Sequence, residues 1–155
     1  MGYPGSQTNE HTLKYLAQLA ADAERFNLPV GAEMLPYGFE KPEGIDTRTV
    51  DLMSFACRLG ADLGADFIKA EFVGGPEFRK VVDNCYVPIL VLGGSKAKSL
   101  EEIFTNIHDA ILAGSSGIIM GRNIVRQPNI AKVCEAISAI VHENISVEDA
   151  LKIAK

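Results

Sequence analysis

The sequence predicts an α/β fold in which parallel strands alternate with helices. Three observations indicate this fold: short apolar runs suited to buried strands recur along the chain, amphipathic helical stretches separate them, and glycine turns follow several of the strands. At 155 residues the chain is long enough to bury a core, and we expect residues 1–155 to form a single domain.

The first half of the chain is predicted to run helix, strand, loop, helix, strand. Leucines and alanines on one stripe predict a helix over residues 8–26, and an apolar run predicts a strand over 28–35. The loop over 36–44 is rich in turn formers and long for a connection, which is typical of binding segments or lids. An amphipathic helix over 47–60 then leads to a strand over 65–72.

The second half repeats this alternation. Ser99 and Glu102 have the spacing of a capping box, which marks the start of a helix. The predicted strands cover residues 87–92 and 117–120, and the predicted helices cover 76–83, 99–113, 128–142 and 146–155.

Charge and composition exclude several classes of protein. The formal net charge is −5 and there is no basic block, which argues against nucleic acid as a partner. No apolar run reaches membrane-spanning length and no signal peptide is apparent, so we expect a cytoplasmic protein without a membrane partner. Cys57, Cys85 and Cys134 lack metal-ligand spacing and are expected to be buried free thiols. Neither a metal nor a cofactor is predicted.

A lysine interrupts the strand over 65–72. Alternation along a strand places Phe67, Lys69 and Glu71 on one face and Ile68 on the other. A buried ammonium is costly unless it is paired or loses its proton, and a lysine that gives up its proton readily attacks carbonyls. Lys69 is therefore the candidate Schiff-base nucleophile. The alternatives are a structural Lys69–Glu71 pair and a strand-end lysine that reaches solvent.

Two architectures satisfy the order of elements: a small doubly wound parallel sheet and part of a (β/α)₈ barrel. The chain length favours the doubly wound sheet, because a complete barrel needs about 250 residues. Glu33, Lys69 and Glu71 favour the barrel, because they would lie near its carboxyl-terminal mouth instead of against apolar helices. The barrel requires that about half of it is missing or supplied by another chain.

Two consecutive strands end in glycine turns. Glycine lets backbone N–H groups approach an anion closely, and the loops after the last two strands of a barrel commonly bind phosphate. An arginine in the second turn adds a fork of donors suited to phosphate oxygens. Tight strand-to-helix turns explain the glycines equally well. The candidate phosphate-binding residues are Gly93, Gly94, Ser95, Gly121 and Arg122.

The motifs over residues 66–69, 91–96 and 119–123 resemble the second half of the archaeal-type class I fructose-bisphosphate aldolases. That family also includes related aldolases and a thiolase of autoinducer breakdown. The resemblance implies strands five to eight of a (β/α)₈ barrel. It further implies that Lys69 is the Schiff-base lysine and that the two glycine turns are the phosphate-binding loops.

The chain departs from the family pattern at three positions. Glu33 and Leu35 replace a tryptophan and a catalytic tyrosine, and Glu71 replaces a second lysine. The general acid/base role therefore falls to Glu33 or Glu71, with Tyr37 in the loop as a weaker candidate.

The expected substrate is a phosphorylated ketose such as fructose 1,6-bisphosphate. The alternatives are thiolase-like acyl transfer on a phosphorylated diketone, and an inactive half-barrel that binds a phosphorylated ligand. An isolated half would expose its inner face and sheet edges, so we expect a homo-oligomer or a complementary half-barrel as partner.

Overall fold

The computed structural model describes residues 1–94 and 97–155, and its elements alternate as the sequence predicts. A 3₁₀ turn (Gly75–Phe78) precedes the third helix. In chain order the helices and strands are α1 (Asn9–Glu24), β1 (Gly31–Glu33), α2 (Val50–Asp62), β2 (Phe67–Ala70), α3 (Arg79–Asn84), β3 (Ile89–Leu92), α4 (Leu100–Leu112), β4 (Gly117–Ile119), α5 (Arg122–Val125), α6 (Ile130–Glu143) and α7 (Val147–Ile153).

The strands form one parallel sheet in the order β1-β2-β3-β4. Glu33 pairs with Lys69, and Lys69 pairs with Leu90 on its other side. A doubly wound sheet reverses its direction of growth at a switch point. Here each new strand is added on the same side, as in a (β/α)₈ barrel. The doubly wound alternative is therefore wrong.

Within the described residues, helices cover one face of this sheet. Ala32, Ile68 and Ile89 are at most 1% exposed and pack in a core with residues of α2, α3 and α4. Glu33 and Lys69, on the opposite face, are only partly buried. Charged side chains are tolerated there because this face stays in contact with water.

Helix starts follow the capping residues. Ser99 caps α4 by accepting a hydrogen bond from the Glu102 backbone N–H (3.1 Å), as the predicted capping box requires. The Glu102 carboxylate accepts from the backbone N–H of Lys98 (2.6 Å), one residue before the cap. A second core cluster joins α4, α6 and α7, so the Ser99 cap begins a helix that packs against two others.

The amino-terminal residues extend the sheet beyond β1, which the sequence did not indicate. Gly2 donates its backbone N–H to the Glu33 carbonyl (2.8 Å), and its own carbonyl accepts from Leu35 (3.0 Å). A single β-bridge pairs too few residues to produce an apolar run, so the sequence pattern does not reveal it. Helix α5, at Arg122–Val125, is likewise too short to show a helical period and was not predicted.

No helix within residues 1–94 and 97–155 is both long and apolar enough to cross a lipid bilayer.

Candidate active site

Lys69 and Glu33 form an ion pair on the open face of the sheet. The Lys69 Nζ lies 3.2 Å from the Glu33 Oε1, and the two side chains are 28% and 18% exposed. The pairing of β1 with β2 places the two residues side by side at the carboxyl ends of their strands. The alternative Lys69–Glu71 pair is wrong, because Lys69 pairs with Glu33 and Glu71 pairs with an arginine.

A cleft of about 110 Å³ brings most of the predicted site residues together. Parallel strands end at the same edge of a sheet, so the turns after β3 and β4 lie beside the ion pair. Glu71 lines a neighbouring cleft instead. Ser95 lies outside the described residues. The predicted residues that line the first cleft are Glu33, Lys69, Gly93, Gly94, Gly121 and Arg122.

The two glycine turns approach each other closely. A Cβ atom added at Gly93 would lie 3.3 Å from the Met120 side chain, so glycine permits this approach. Gly94 has a φ of +57°, a left-handed conformation that glycine adopts without strain. Arg122 follows Gly121 on the exposed side of the second turn and contributes a cation to the cleft wall.

Asn123 connects the two turns, a role that sequence reasoning missed. Its Nδ2 donates to the Gly93 carbonyl (2.7 Å), and its Oδ1 accepts from the Ala97 backbone N–H (3.3 Å). The residue is 8% exposed, and a buried amide with both ends bonded holds its neighbours at a defined separation. The sequence shows an asparagine after the arginine, but not its burial.

Arg48 is the second residue that sequence reasoning missed. Its Nε donates to the Glu71 Oε2 at 2.7 Å, so the Glu71 carboxylate already has a cationic partner. Arg48 comes one residue before Thr49, which caps α2. A cation beside a helix N-terminus is unfavourable unless an anion compensates it. An arginine directly before the cap of α2 was therefore the sequence signal for an acidic partner nearby.

One known protein family matches most of this chain in sequence. Residues 1–127 match the sequence profile described as DeoC/LacD family aldolase. The chain belongs to this aldolase family.

Two relatives cover nearly all of this aldolase-family chain. An uncharacterized aldolase of Saccharolobus solfataricus is 33% identical over 156 residues, which is 100% of this chain and 57% of the relative. The 2-amino-3,7-dideoxy-D-threo-hept-6-ulosonate synthase of Halobacterium salinarum is 34% identical over 148 residues, covering 95% and 54% of the two chains. The chain thus spans about half the length of the curated relatives it matches.

A solved structure carries the same fold. It is an archaeal fructose-1,6-bisphosphate aldolase with its catalytic lysine covalently bound to the carbinolamine intermediate of the substrate. The TM-score is 0.81 at 28% identity, over 90% of this aldolase-family chain and 55% of the other. The resemblance to archaeal-type aldolases and the predicted fold class, the carboxyl-terminal half of a (β/α)₈ barrel, are confirmed.

Tyr37 of the aldolase-family chain faces its amino-terminal segment. A Cβ added at Gly5 would lie 2.9 Å from the Tyr37 ring, and the Tyr37 backbone N–H donates to the Pro4 carbonyl (2.8 Å). The ring therefore packs against residues outside the cleft. Of the three acid/base candidates, Glu33 is the one in contact with Lys69.

The cysteines of the aldolase-family chain differ in environment. Cys57 and Cys85 are buried, as predicted, and burial raises the pKa of each thiol. The prediction for Cys134 is wrong: it lies on an exposed position of α6. In the part of the chain that the structure describes, no three or more His, Cys, Asp or Glu side chains are grouped to hold a metal ion.

Proposed function

We propose that this chain provides the nucleophile, an acid/base group and the phosphate site of a class I aldolase that acts on a phosphorylated ketose such as fructose 1,6-bisphosphate. The observation that carries the proposal is the Lys69–Glu33 ion pair beside two glycine turns and Arg122. A solved relative has a catalytic lysine covalently bound to a carbinolamine intermediate, and among the described residues Lys69 is the lysine that lines this cleft.

The reaction begins with proton transfer. A paired ammonium must lose its proton before the nitrogen can attack a carbonyl, and Glu33 is the acceptor in contact with Lys69. Attack of the Lys69 amine on the ketone carbon gives a carbinolamine. Glu33 then returns a proton to the departing hydroxyl, water leaves, and an iminium forms. When the carbon–carbon bond next to the iminium breaks, its electron pair passes to the iminium to give an enamine. The hydroxyl on the departing carbon gives its proton to Glu33, again a carboxylate, and becomes the aldehyde carbonyl.

Phosphate binding orients the carbonyl for this attack. The backbone at Gly93 and Gly94 lines the cleft without side chains in the way, and Arg122 adds a cation to the same lining. Correct placement of the carbonyl over Lys69 lowers the barrier without bond making by these residues. Asn123 keeps the two turns at their separation through its bond to the Gly93 carbonyl.

The identity of the second relative favours a second candidate within the same chemistry. That protein is named a synthase of a heptulosonate, so a lysine iminium formed by this chain could serve carbon–carbon bond formation instead of cleavage. A thiolase-like acyl transfer is distinguished by consumption of coenzyme A. A non-catalytic half-barrel would bind phosphorylated ligand without forming a covalent adduct.

We also propose that the complete site includes residues of a second half-barrel. Within the described residues, the outer edge of β4 pairs with no further strand, and the face that carries Lys69 has no covering layer. Exposed edges and apolar residues on such a face favour association. Light scattering tests this: a stable monomer with full activity would contradict the need for a complementary half.

Borohydride trapping tests the central claim. The chain is incubated with fructose 1,6-bisphosphate or another ketose phosphate, reduced with sodium borohydride, and mapped by peptide mass. We expect the adduct on Lys69 and its loss in Lys69→Met. Lys80→Met is the matched control, because Lys80 is an exposed lysine paired with Glu77 at 2.9 Å. An adduct on another lysine, or none, would contradict the proposal.

A further inference from the structure

Arg48 joins two segments of the chain through its guanidinium. Its Nη1 donates to the Pro36 carbonyl and its Nη2 to the Gly38 carbonyl, each at 2.8 Å. Its Nε donates to Glu71, one residue beyond β2, at 2.7 Å. Its Nη1 also donates to the carbonyl and the hydroxyl of Thr47, each at 3.1 Å, so all three guanidinium nitrogens bond within the protein.

Without its bond to Arg48, Glu71 would lie within reach of Lys69. The two residues are separated by one position, and a strand rises about 3.3 Å per residue, so their backbones are roughly 7 Å apart. A lysine side chain spans that distance. Two carboxylates, Glu33 and Glu71, therefore stand near one ammonium, and the structure gives each its own cation.

A second carboxylate at Lys69 would oppose the proposed chemistry. An additional negative charge within about 4–6 Å favours the charged ammonium over the neutral amine that attacks a carbonyl. It would also repel a phosphate. Within the described residues, the charged groups around Lys69 come from several segments: Glu33 on β1 is its ion-pair partner, Arg122 after β4 lines the same cleft, and Glu71 after β2 is bound by Arg48. Among the described residues that line this cleft, Arg122 is the cation outside the Lys69–Glu33 pair.

We propose that Arg48 is a positioning residue that keeps Glu71 away from Lys69, so that Glu33 is the single carboxylate partner of Lys69 and Glu71 takes no part in proton transfer. The inference deepens the proposed function and rests on it, since Lys69 is taken as the nucleophile. It predicts that the charge of residue 48 matters more than its bonds to the loop.

The test measures the reactivity of Lys69 without a sugar substrate. Reductive methylation with formaldehyde and cyanoborohydride is followed at Lys69 by peptide mass, with Lys132 of the same molecule as reference, because Lys132 is exposed and paired with Glu135. We expect Arg48→Gln to slow methylation of Lys69 on the order of threefold to tenfold, since an uncompensated second carboxylate favours the charged ammonium, which does not react. Arg48→Lys should keep the wild-type rate, and Arg48→Gln with Glu71→Gln should restore it.

Other outcomes overturn the proposal. Equal slowing by Arg48→Lys and Arg48→Gln, without restoration by Glu71→Gln, would mean that Arg48 only holds the loop. Glu71→Gln alone keeps Arg48 in place and is a second test if Arg48→Gln does not fold. We expect the methylation rate of Lys69 to stay within about twofold, because Arg48 already compensates Glu71. A several-fold rise would show that Glu71 acts on Lys69 directly.

Borohydride trapping separates this inference from the proposed function. Loss of ketose-phosphate trapping in Glu71→Gln, with unchanged methylation, would make Glu71 the acid/base group and contradict the inference alone. Absence of trapping in the wild-type chain would contradict the proposed function, while the methylation comparison would still decide the role of Arg48.

Discussion

Glu33 and Lys69 are partners in the β-ladder as well as in an ion pair: their Cα positions are paired between β1 and β2, and their charged atoms lie 3.2 Å apart. Backbone hydrogen bonds therefore hold the proposed nucleophile and its proposed proton acceptor on neighbouring positions of two strands. The Met34 backbone N–H, which donates to the Lys69 carbonyl at 3.0 Å, continues this ladder. A pair held by a sheet is more accurately positioned than a pair held by loops.

Glu33→Gln should slow adduct formation on Lys69. The substitution keeps the shape of the side chain but removes the proton acceptor, and general acid–base catalysis contributes about 100-fold to 10,000-fold. Trapping rates at saturating ketose phosphate measure the effect, and Glu77→Gln, on an exposed surface pair, is the control. A rate within twofold of wild type, with the fold intact by circular dichroism, would contradict the role of Glu33.

Arg122→Ala should weaken binding of phosphorylated substrate. A hydrogen bond to a charged group contributes about 1.5–3 kcal/mol, which corresponds to roughly tenfold or more in half-saturating concentration. The concentration dependence of trapping is compared for a ketose phosphate and the same sugar without phosphate. We expect the change for the phosphorylated sugar only. Arg126→Ala, an exposed arginine four residues later, is the matched control, and equal effects of both variants would argue against a phosphate site at Arg122.

Ile89→Ala should lower the free energy of unfolding more than Ile119→Ala does, because the two residues lie on opposite faces of the sheet. Ile89 is 1% exposed under the helices, and its truncation should lower the free energy of unfolding by about 2–5 kcal/mol. Ile119 is 37% exposed on the open face and should cost less than about 1 kcal/mol. Urea unfolding measures both. A large cost at Ile119 would indicate that a second half-barrel covers this face in solution.

The thiol reagent DTNB should label Cys134 and spare the other two cysteines in the native protein. The thiolate is the reactive form, and burial raises the pKa of Cys57 and Cys85, so each holds less thiolate than a thiol of ordinary pKa at the same pH. Denaturant should expose all three thiols. Cys134→Ser is the control and should abolish native labelling. Rapid native labelling of Cys57 or Cys85 would contradict their burial.

The local pattern of apolar and polar residues was sufficient to predict the helices and the parallel arrangement of the strands. The spacing of apolar residues placed α2, α4 and α6 within a few residues of their observed bounds, and Ser99 was identified as a cap. The strands were predicted too long. Apolar residues on either side of a strand also pack in the core, although their backbones do not pair with a neighbouring strand. An apolar run is therefore longer than the strand that it contains.

The partners of the side chains in the site are set by contacts between segments that are far apart in the sequence. Alternation in the strand over 65–72 correctly separated Lys69 from Ile68, and the glycine turns were recognised from composition. The sequence offered Glu71 as the ion-pair partner of Lys69 and left the acid/base role open between Glu33 and Glu71. Arg48 and Asn123 were missed because their roles consist of bonds to residues far along the chain.

The sequence by itself determined the alternation of strands and helices, the position of one lysine at the end of a strand, and the aldolase resemblance. These features depend on side-chain periodicity and on motifs of a few residues. Tertiary structure alone decided that helices cover one face of the sheet, that Glu33 pairs with Lys69, and that Arg48 compensates Glu71. Ion pairs of this kind are set by strand register and loop closure, because a charge selects its partner by distance in space and not by separation along the chain.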